Sequence, residues 1–205
     1  MPELIWQPSL LGGDDLAFDV SLSGARRRFL GSGAWVDHVA AWATGTDGLF
    51  QELVATVPWE GRERPMYDRV VAEPRLHAEG WTDRPAVVSR MARCLTRHYG
   101  RRLSSVTANL YRDGNDSVAW HGDRIGRKHA DTVVAVLSLG SARRFLLRPR
   151  GDGHSGGGSS IRFDLEPGDL LALGGTCQKT WEHCVPKRSW AGPRISLMFR
   201  ERGVR

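Results

Sequence analysis

A histidine and an aspartate, His121 and Asp123, lie two residues apart near the middle of the chain. In an extended segment such residues share a face, so both side chains could ligate one ion. One turn of chain cannot surround a metal, and a third ligand must therefore come from a distant segment. The candidate is His183, within the strand-like stretch Trp181–Val185.

Two imidazoles and one carboxylate form a facial ligand set that leaves other metal positions open. That arrangement suits non-haem Fe(II), which binds a co-substrate and O2 together. Simpler interpretations exist, because His-x-Asp recurs by chance and a lone histidine is often a hydrogen-bonded core residue. Cys177 and Cys184 flank His183, so zinc is an alternative, although buried free thiols explain this spacing more simply.

A second chemical feature is the alternating segment Arg194–Arg200. Three apolar residues, Ile195, Leu197 and Phe199, point one way, and the alternate residues point the other, namely Arg194, Ser196, Met198 and Arg200. At ~3.3 Å per residue the two arginines lie about 20 Å apart. If the apolar face packs under helices, the arginines point inward, where a buried guanidinium needs an anion. An anionic chelating co-substrate would supply it, whereas a pair of surface arginines is the alternative.

Short strands separated by turns are predicted from residue 104 onwards. The predicted strands are Ser105–Arg112, Thr132–Leu139, Arg144–Arg148, Ser160–Leu165, Asp169–Leu173, Thr180–Val185 and Arg194–Arg200. Helical spacing of apolar residues predicts helices over 34–43, Asp47–Val57 and Pro85–Gly100. The glycine-rich segment 151–160 is predicted to be a hairpin loop. The fold class is therefore α+β, with a β-sandwich or jelly-roll barrel and N-terminal helices packed on one sheet.

Composition bounds the function more loosely. The chain has 205 residues, enough for one compact domain, and its net charge of +6 with a pI near 9.8 favours polyanionic partners. Its three cysteines are too few for a disulfide framework and fit a reducing compartment. We expect a soluble cytoplasmic protein with no signal peptide, no membrane association and no obligate protein partner.

The stretch Asn109–Asp123 resembles the AlkB family of Fe(II)- and 2-oxoglutarate-dependent dioxygenases. The tail Pro193–Arg200, with its Arg-x5-Arg, and the piece Gly168–Gly175 followed by His183 resemble it as well. The resemblance is strong from about residue 104 to 201 and weaker before that, in Pro58-Trp59 and Pro74-Arg-Leu76. It implies a double-stranded β-helix catalytic core over 104–205. Residues 1–103 would form a helical support and a nucleotide-recognition lid.

The family resemblance also implies roles for individual residues. Fe(II) would be bound by His121, Asp123 and His183. Arg194 would pair with the distal carboxylate of 2-oxoglutarate, and Asn109 and Tyr111 would hydrogen-bond the same co-substrate. Arg200 would lie near its chelating end, and Ser196 would line the pocket between the two arginines.

The reaction implied is oxidative demethylation of N-alkylated bases in DNA or RNA, a direct reversal of alkylation damage. O2 and 2-oxoglutarate would be converted to succinate and CO2 while an N-methyl carbon is hydroxylated and leaves as formaldehyde. Two alternatives remain open at this point. One is the same chemistry on a non-repair substrate such as modified RNA, a protein or a small molecule, and the other is a non-catalytic nucleic-acid-binding module.

Base-contacting residues are the least defined part of the prediction. The aromatic candidates for clamping an unstacked base are Trp59, Tyr67, His77 and Trp81, each of which could instead be a packing residue. Arg75 could line the same pocket. Relatives often carry an acidic residue two positions after the aspartate ligand, where this chain has Ile125, after Arg124. Asp131 and Glu182 are possible substitutes for that acid.

Overall fold

The computed structural model describes residues 4, 6, 15–66, 69–123, 131–151 and 160–201. Two antiparallel sheets face each other in it. The larger has eight strands in the order β2-β3-β12-β9-β14-β7-β6-β5, and the smaller has four in the order β11-β10-β13-β8. Strands β1 and β4 form a separate pair. This arrangement confirms the predicted double-stranded β-helix.

The N-terminal half contributes strands as well as helices. Its elements are β1 (Ala17–Phe18), β2 (Arg26–Gly31), β3 (Ala34–Val39), β4 (Ala43–Thr44), α1 (Asp47–Thr56), β5 (Glu60–Met66), β6 (Arg69–Glu79) and α2 (Ala86–Tyr99). Helix α2 follows Pro85 and ends at Gly100, whose φ of 63° is the left-handed conformation that favours glycine at a helix end. Both helices agree with the sequence prediction.

The C-terminal half contains the remaining strands and one helical turn. These are β7 (Ser105–Tyr111), β8 (Val118–His121), β9 (Thr132–Gly140), β10 (Arg143–Pro149), β11 (Ile161–Leu165), β12 (Leu170–Gly175), α3 (Cys177–Thr180), β13 (Trp181–Val185) and β14 (Arg194–Arg200). Every strand predicted after residue 104 is present. Strand β8 is additional, and the tip of the glycine-rich loop, 152–159, lies outside the described residues.

Strand β14 lies at the centre of the large sheet, between β9 and β7. Ile195, Leu197 and Phe199 belong to the main hydrophobic core, which also contains the buried faces of α1 and α2. The alternate residues of β14 therefore face the small sheet. The parity read from the sequence is thus confirmed, and it directs Arg194 and Arg200 into the space between the sheets.

The predicted helix over 34–43 is wrong, because residues 34–39 form strand β3. Val36 and Ala34 pack between the sheets, while Val39 joins the helix-side core. A short apolar run fits either periodicity, and here pairing with β2 and β12 decides. No helix in the described part of the chain has both the length and the apolarity needed to cross a bilayer.

Candidate metal and co-substrate site

Strand pairing in the small sheet brings two distant histidines together. His183 on β13 is the direct Cα partner of His121 on β8, and their ring centroids lie 4.3 Å apart. Asp123 lies two residues after the end of β8. One ligand atom from each of the three residues lies within 4.8 Å of the others. The structure therefore assembles the set of three side chains that the sequence predicted.

The orientation of His121 leaves one ring nitrogen free for a metal. Its Nδ1 lies 2.8 Å from the carbonyl oxygen of Ala119 and donates to it. The proton is thereby held on Nδ1, and Nε2, which lies 3.9 Å from Asp123 Oδ1, keeps its lone pair. A backbone carbonyl that fixes the tautomer in this way is common behind metal-bound histidines.

His183 is the most buried of the three and is held by an aromatic contact. The Phe145 ring stacks on the imidazole with centroids 5.1 Å apart and an interplanar angle of 15°. Burial, reinforced by the nearby His121, lowers the pKa of His183 to about 3. The ring is therefore neutral at physiological pH, which is the state that binds a metal.

Asp123 is a carboxylate despite its burial. Burial would raise its pKa, but Coulomb attraction, above all to the positive charge of Arg200, outweighs that effect, and the pKa is lowered. Arg200 Nη2 lies 3.4 Å from both carboxylate oxygens. The backbone N–H of Asp123 donates to Gln178 Oε1 over 3.0 Å, which ties Asp123 to helix α3.

The facing surface of the large sheet supplies a row of polar side chains. His77, Asn109, Ser196 and Ser138 are successive Cα partners across four neighbouring strands. His77 Nδ1 donates to Asn109 Oδ1 over 2.8 Å, and Arg75 Nε lies 3.4 Å from the same oxygen. The Asn109 amide group contacts only a thioether at 3.7 Å among the described residues, so its N–H donors remain available for a ligand.

Arg194 lies deep between the sheets and is only 1% exposed. Its Nε donates to Ser138 Oγ over 2.9 Å, but its Nη1 is buried without a hydrogen-bond partner among the described residues. Burial lowers the pKa of this guanidinium to about 10. Because an unpaired buried cation is costly, the geometry fits a small anion at this position.

A second buried arginine uses both of its Nη groups on the backbone, although its Nε lacks a hydrogen-bond partner among the described residues. Arg143 is also 1% exposed, and it donates to the backbone carbonyls of Asp113, Asp116 and Pro186 at 2.8, 2.7 and 3.1 Å. Arg143 and Arg194 both lie beside the Tyr111 ring, each with Cζ 5.4 Å from its centroid. Arg143 therefore holds the loop after β7, whereas Arg194 is available to a ligand.

Not every predicted base-contacting residue reaches this site. Arg75 and His77 do, through Asn109. Trp81 is buried in the helix-side core, and Trp59 packs against that core and donates from Nε1 to the Val54 carbonyl over 3.2 Å. Both tryptophans thus lie across the large sheet from the ligands, and their prediction as clamping residues is not supported by this placement. Tyr67, Arg124 and Ile125 lie outside the described residues.

Sequence reasoning missed several residues that hold the site together. They are Ser138 beside Arg194, Phe145 on His183, Gln178 behind Asp123, and Arg143. Phe145 is two residues from Leu147, the Cα partner of His183, so strand parity would have found it once the register was known. The other three depend on contacts between segments that no spacing rule connects.

The chain matches the family described as the 2OG-Fe(II) oxygenase superfamily over residues 40–200. It is 31% identical over 174 residues to alpha-ketoglutarate-dependent dioxygenase alkB homolog 3 of Bos taurus, which covers 75% of this chain and 60% of that protein. It is 35% identical over 120 residues to DNA oxidative demethylase ALKBH2 of Arabidopsis thaliana, with 49% and 38% covered. The chain thus spans less than two thirds of these relatives.

Solved structures support the fold independently of close sequence similarity. The structure of OsALKBH1 superposes with a TM-score of 0.55 at 16% identity and covers 86% of this chain and 100% of that one. A 2OG-Fe(II) oxygenase family oxidoreductase from Burkholderia pseudomallei gives 0.54 at 16% identity, with 80% and 84% covered. Both likenesses concern the double-stranded β-helix itself.

Proposed function

The chain belongs to the 2OG-Fe(II) oxygenase superfamily, as a member of its AlkB family, and from this premise we propose that it demethylates N-alkylated bases in nucleic acid, DNA in the first place. One observation carries the proposal. Between the two sheets, three metal ligands face a buried guanidinium that lacks an anionic partner among the described residues. A metal and a dicarboxylate together satisfy both features.

Membership of the superfamily implies Fe(II), 2-oxoglutarate and O2 as cofactor and co-substrates. His121, Asp123 and His183 would hold the metal, since two imidazoles and one carboxylate leave positions open for 2-oxoglutarate and O2. When bound, Fe(II) supplies activation of O2 coupled to decarboxylation of 2-oxoglutarate. The donor set fits that ion better than a thiolate-bound zinc, because Cys177 and Cys184 are buried free thiols with raised pKa values.

The protein's own part is to hold 2-oxoglutarate by its two ends. Arg194 would bind the distal carboxylate through Nη1, with Ser138 fixing the other edge of the guanidinium. Tyr111 and the Asn109 amide would donate to the same co-substrate. Arg200, whose Nε is buried without a partner among the described residues, would meet the chelating end beside Asp123. Ser196 would line the space between.

The substrate step is balanced by the co-substrate. One oxygen atom of O2 enters succinate, the other is inserted into an N-methyl C–H bond, and CO2 leaves. The resulting hemiaminal breaks its C–N bond, releases formaldehyde and returns the base nitrogen. A base must leave its stack to reach a metal between two sheets, and the net charge of +6 favours capture of the nucleic-acid strand.

Acidic groups near the site bear on which base is accepted. Glu73 pairs with Arg75 at 3.0 Å, and Arg75 Nε in turn lies 3.4 Å from Asn109 Oδ1 in the site. We infer that Glu73 and Arg75 contact the base edge. The two acids suggested by sequence are engaged elsewhere: Asp131 pairs with Arg101, and Glu182 pairs with Arg148 at 2.6 Å.

The proposal is tested with oligonucleotides that carry one 1-methyladenine or 3-methylcytosine, as single-stranded DNA, duplex DNA and RNA. Each is incubated with protein, Fe(II), 2-oxoglutarate and ascorbate, and is read by mass spectrometry. We expect loss of the methyl group with formation of formaldehyde and succinate. The matched controls are unmethylated strands and the Asp123→Ala variant, which should give no product.

Two results would contradict the proposal in different ways. Succinate formed without any change in a methylated strand would leave an oxygenase with another class of substrate, such as a protein or a small molecule. Oligonucleotide binding with no iron-dependent succinate formation would indicate a non-catalytic binding module.

A further inference from the structure

A long stretch of the chain, which includes helix α2 and strand β7, has positively charged side chains and no negatively charged ones. Between Asp83 and Asp113 there is no carboxylate residue, and the same stretch contains seven arginines. Three of them, Arg90, Arg93 and Arg97, lie three and four residues apart on helix α2, a spacing at which like charges destabilise a helix. Stability alone does not explain this arrangement.

Part of this charge is gathered around a surface cleft. The cleft has a volume of about 320 Å3 and lies between helix α2 and the segment that leads into strand β7. Three arginines and three hydroxyl residues line it, namely Arg84, Ser89, Arg93, Thr96, Arg102 and Ser104. Every polar side chain in the lining can donate a hydrogen bond, and none is a carboxylate.

Several of these groups are held in place before any ligand arrives. Arg84 Nε donates to the Trp81 carbonyl over 2.8 Å, and its guanidinium lies 5.3 Å from the Trp81 ring. Thr96 Oγ1 accepts from the backbone N–H of Leu103 at 3.0 Å, which leaves its own proton to donate. The Ser104 hydroxyl oxygen is buried without a hydrogen-bond partner among the described residues.

The cleft lies at the end of the large sheet where the metal ligands are. Ser104 immediately precedes Ser105, and Ser105 is the Cα partner of Arg200. Arg200 in turn contacts the carboxylate of Asp123. The cleft and the metal site therefore lie at the same rim, on opposite faces of the sheet.

We propose that this cleft binds a backbone phosphate of the nucleic-acid strand whose base enters the metal site. Arginine forks match phosphate oxygens in geometry and charge, and the hydroxyl groups add donors around them. The inference rests on the proposed function for the identity of the bound strand, but phosphate binding in the cleft can be tested separately from demethylation. Phosphates that flank the reacting nucleotide would pass over the rim and be held on the helix side.

The test measures the binding of an unmodified, fluorescein-labelled single-stranded DNA by anisotropy over a range of salt concentrations. A strand that loses one phosphate contact loses about 0.7 from the slope of log K against log salt. For the double variant Arg93→Gln/Arg102→Gln, the affinity deficit should therefore be roughly 2.6-fold larger at 50 mM salt than at 200 mM. A melting temperature equal to or above that of the wild type would show that the variant folds.

The matched control removes the same charge from the same helix outside the cleft. Arg90→Gln/Arg97→Gln should keep the slope of the wild type. An equal reduction of the slope in both variants would mean that the strand is attracted to the whole helix, and it would contradict the assignment of a phosphate to the cleft. An unchanged slope in Arg93→Gln/Arg102→Gln would overturn it as well.

A separate arm distinguishes a strand from free phosphate, with thermal shift in inorganic phosphate as the readout. Inorganic phosphate could raise the melting temperature of the wild type but not that of Arg93→Gln/Arg102→Gln, while oligonucleotide affinity is the same for both proteins. In that case the cleft binds free phosphate, and its assignment to a nucleic-acid strand is wrong. Failure of demethylation with an intact cleft-dependent slope would instead reject the proposed function and leave the cleft standing.

Discussion

Replacing Arg194 by methionine should stabilise the metal-free protein and nearly abolish the binding of 2-oxoglutarate. The guanidinium is 1% exposed, and its Nη1 lacks a partner among the described residues, so the apo protein carries the cost of a buried charge. Methionine has a similar length and no charge. Replacement of buried ionic groups by apolar residues can stabilise a protein by about 1–4 kcal/mol.

The effect on the co-substrate has the opposite sign. Two charge-assisted hydrogen bonds to the distal carboxylate contribute roughly 1.5–3 kcal/mol each, and their loss weakens binding by a hundredfold or more. Wild-type protein with 2-oxoglutarate at about 100 times its Kd gains ~2.7 kcal/mol, which raises the Tm by roughly 5–10 °C. In Arg194→Met the same concentration should give about 0.5 kcal/mol or less.

The assay is thermal unfolding of both proteins under anaerobic conditions with Fe(II), with and without 2-oxoglutarate. Arg143→Met is the matched control, because Arg143 is equally buried beside the same tyrosine but donates from both Nη groups to three backbone carbonyls. Its apo protein should lose about 3 kcal/mol or more. The reasoning is refuted if Arg194→Met destabilises the apo protein as Arg143→Met does and retains the shift with 2-oxoglutarate.

Three further predictions concern the buried groups around the site. Since the pKa of His183 is lowered to about 3, the unfolded chain takes up its proton first as the pH falls below about 6.5. Metal-free protein should therefore lose about 1 kcal/mol between pH 6 and 5 in urea unfolding, a loss that His183→Gln should not show. Burial raises the pKa of Cys177 to about 12 and that of Cys184 to about 11. Neither thiol should therefore react with iodoacetamide at pH 8 unless the protein unfolds. Rapid alkylation of the native protein, measured by mass spectrometry, would contradict this prediction. Gly168 has a φ of 87°, and an added Cβ would lie 1.9 Å from the Ala43 carbonyl oxygen. Gly168→Ala should therefore lower the free energy of unfolding by about 2 kcal/mol or more. An unchanged Tm would contradict this prediction.

The sequence predicted the parts of the site that depend on local alternation. The face of β14 that carries Arg194 and Ser196 followed from a single strand, because side chains of a strand alternate regardless of what the strand pairs with. His121 and His183 are brought together only by the pairing of β8 with β13. Periodicity within one strand does not predict which strands pair, so the joint ligand set was predicted from the family resemblance.

The failures have a common physical origin in contacts between distant segments. Residues 34–39 form a strand partly because Arg27 pairs with Asp37 at 2.7 Å and lies over the Trp35 ring, neither of which their own spacing shows. From the sequence alone, Trp59 and Trp81 could contact either a base or the hydrophobic core. In the structure both belong to the core on the helix side of the large sheet. Arg143 binds backbone carbonyls, which leave no trace in residue types.

The central claim is that His121, Asp123 and His183 bind one ferrous ion beside 2-oxoglutarate that is held by Arg194. Its most direct test is a crystal structure of the protein reconstituted anaerobically with Fe(II) and 2-oxoglutarate. We predict a single metal with His121 Nε2, a nitrogen of His183 and a carboxylate oxygen of Asp123 at about 2.1 Å, and the distal carboxylate on Arg194. A metal bound elsewhere, or 2-oxoglutarate that makes no contact with Arg194, would contradict the account.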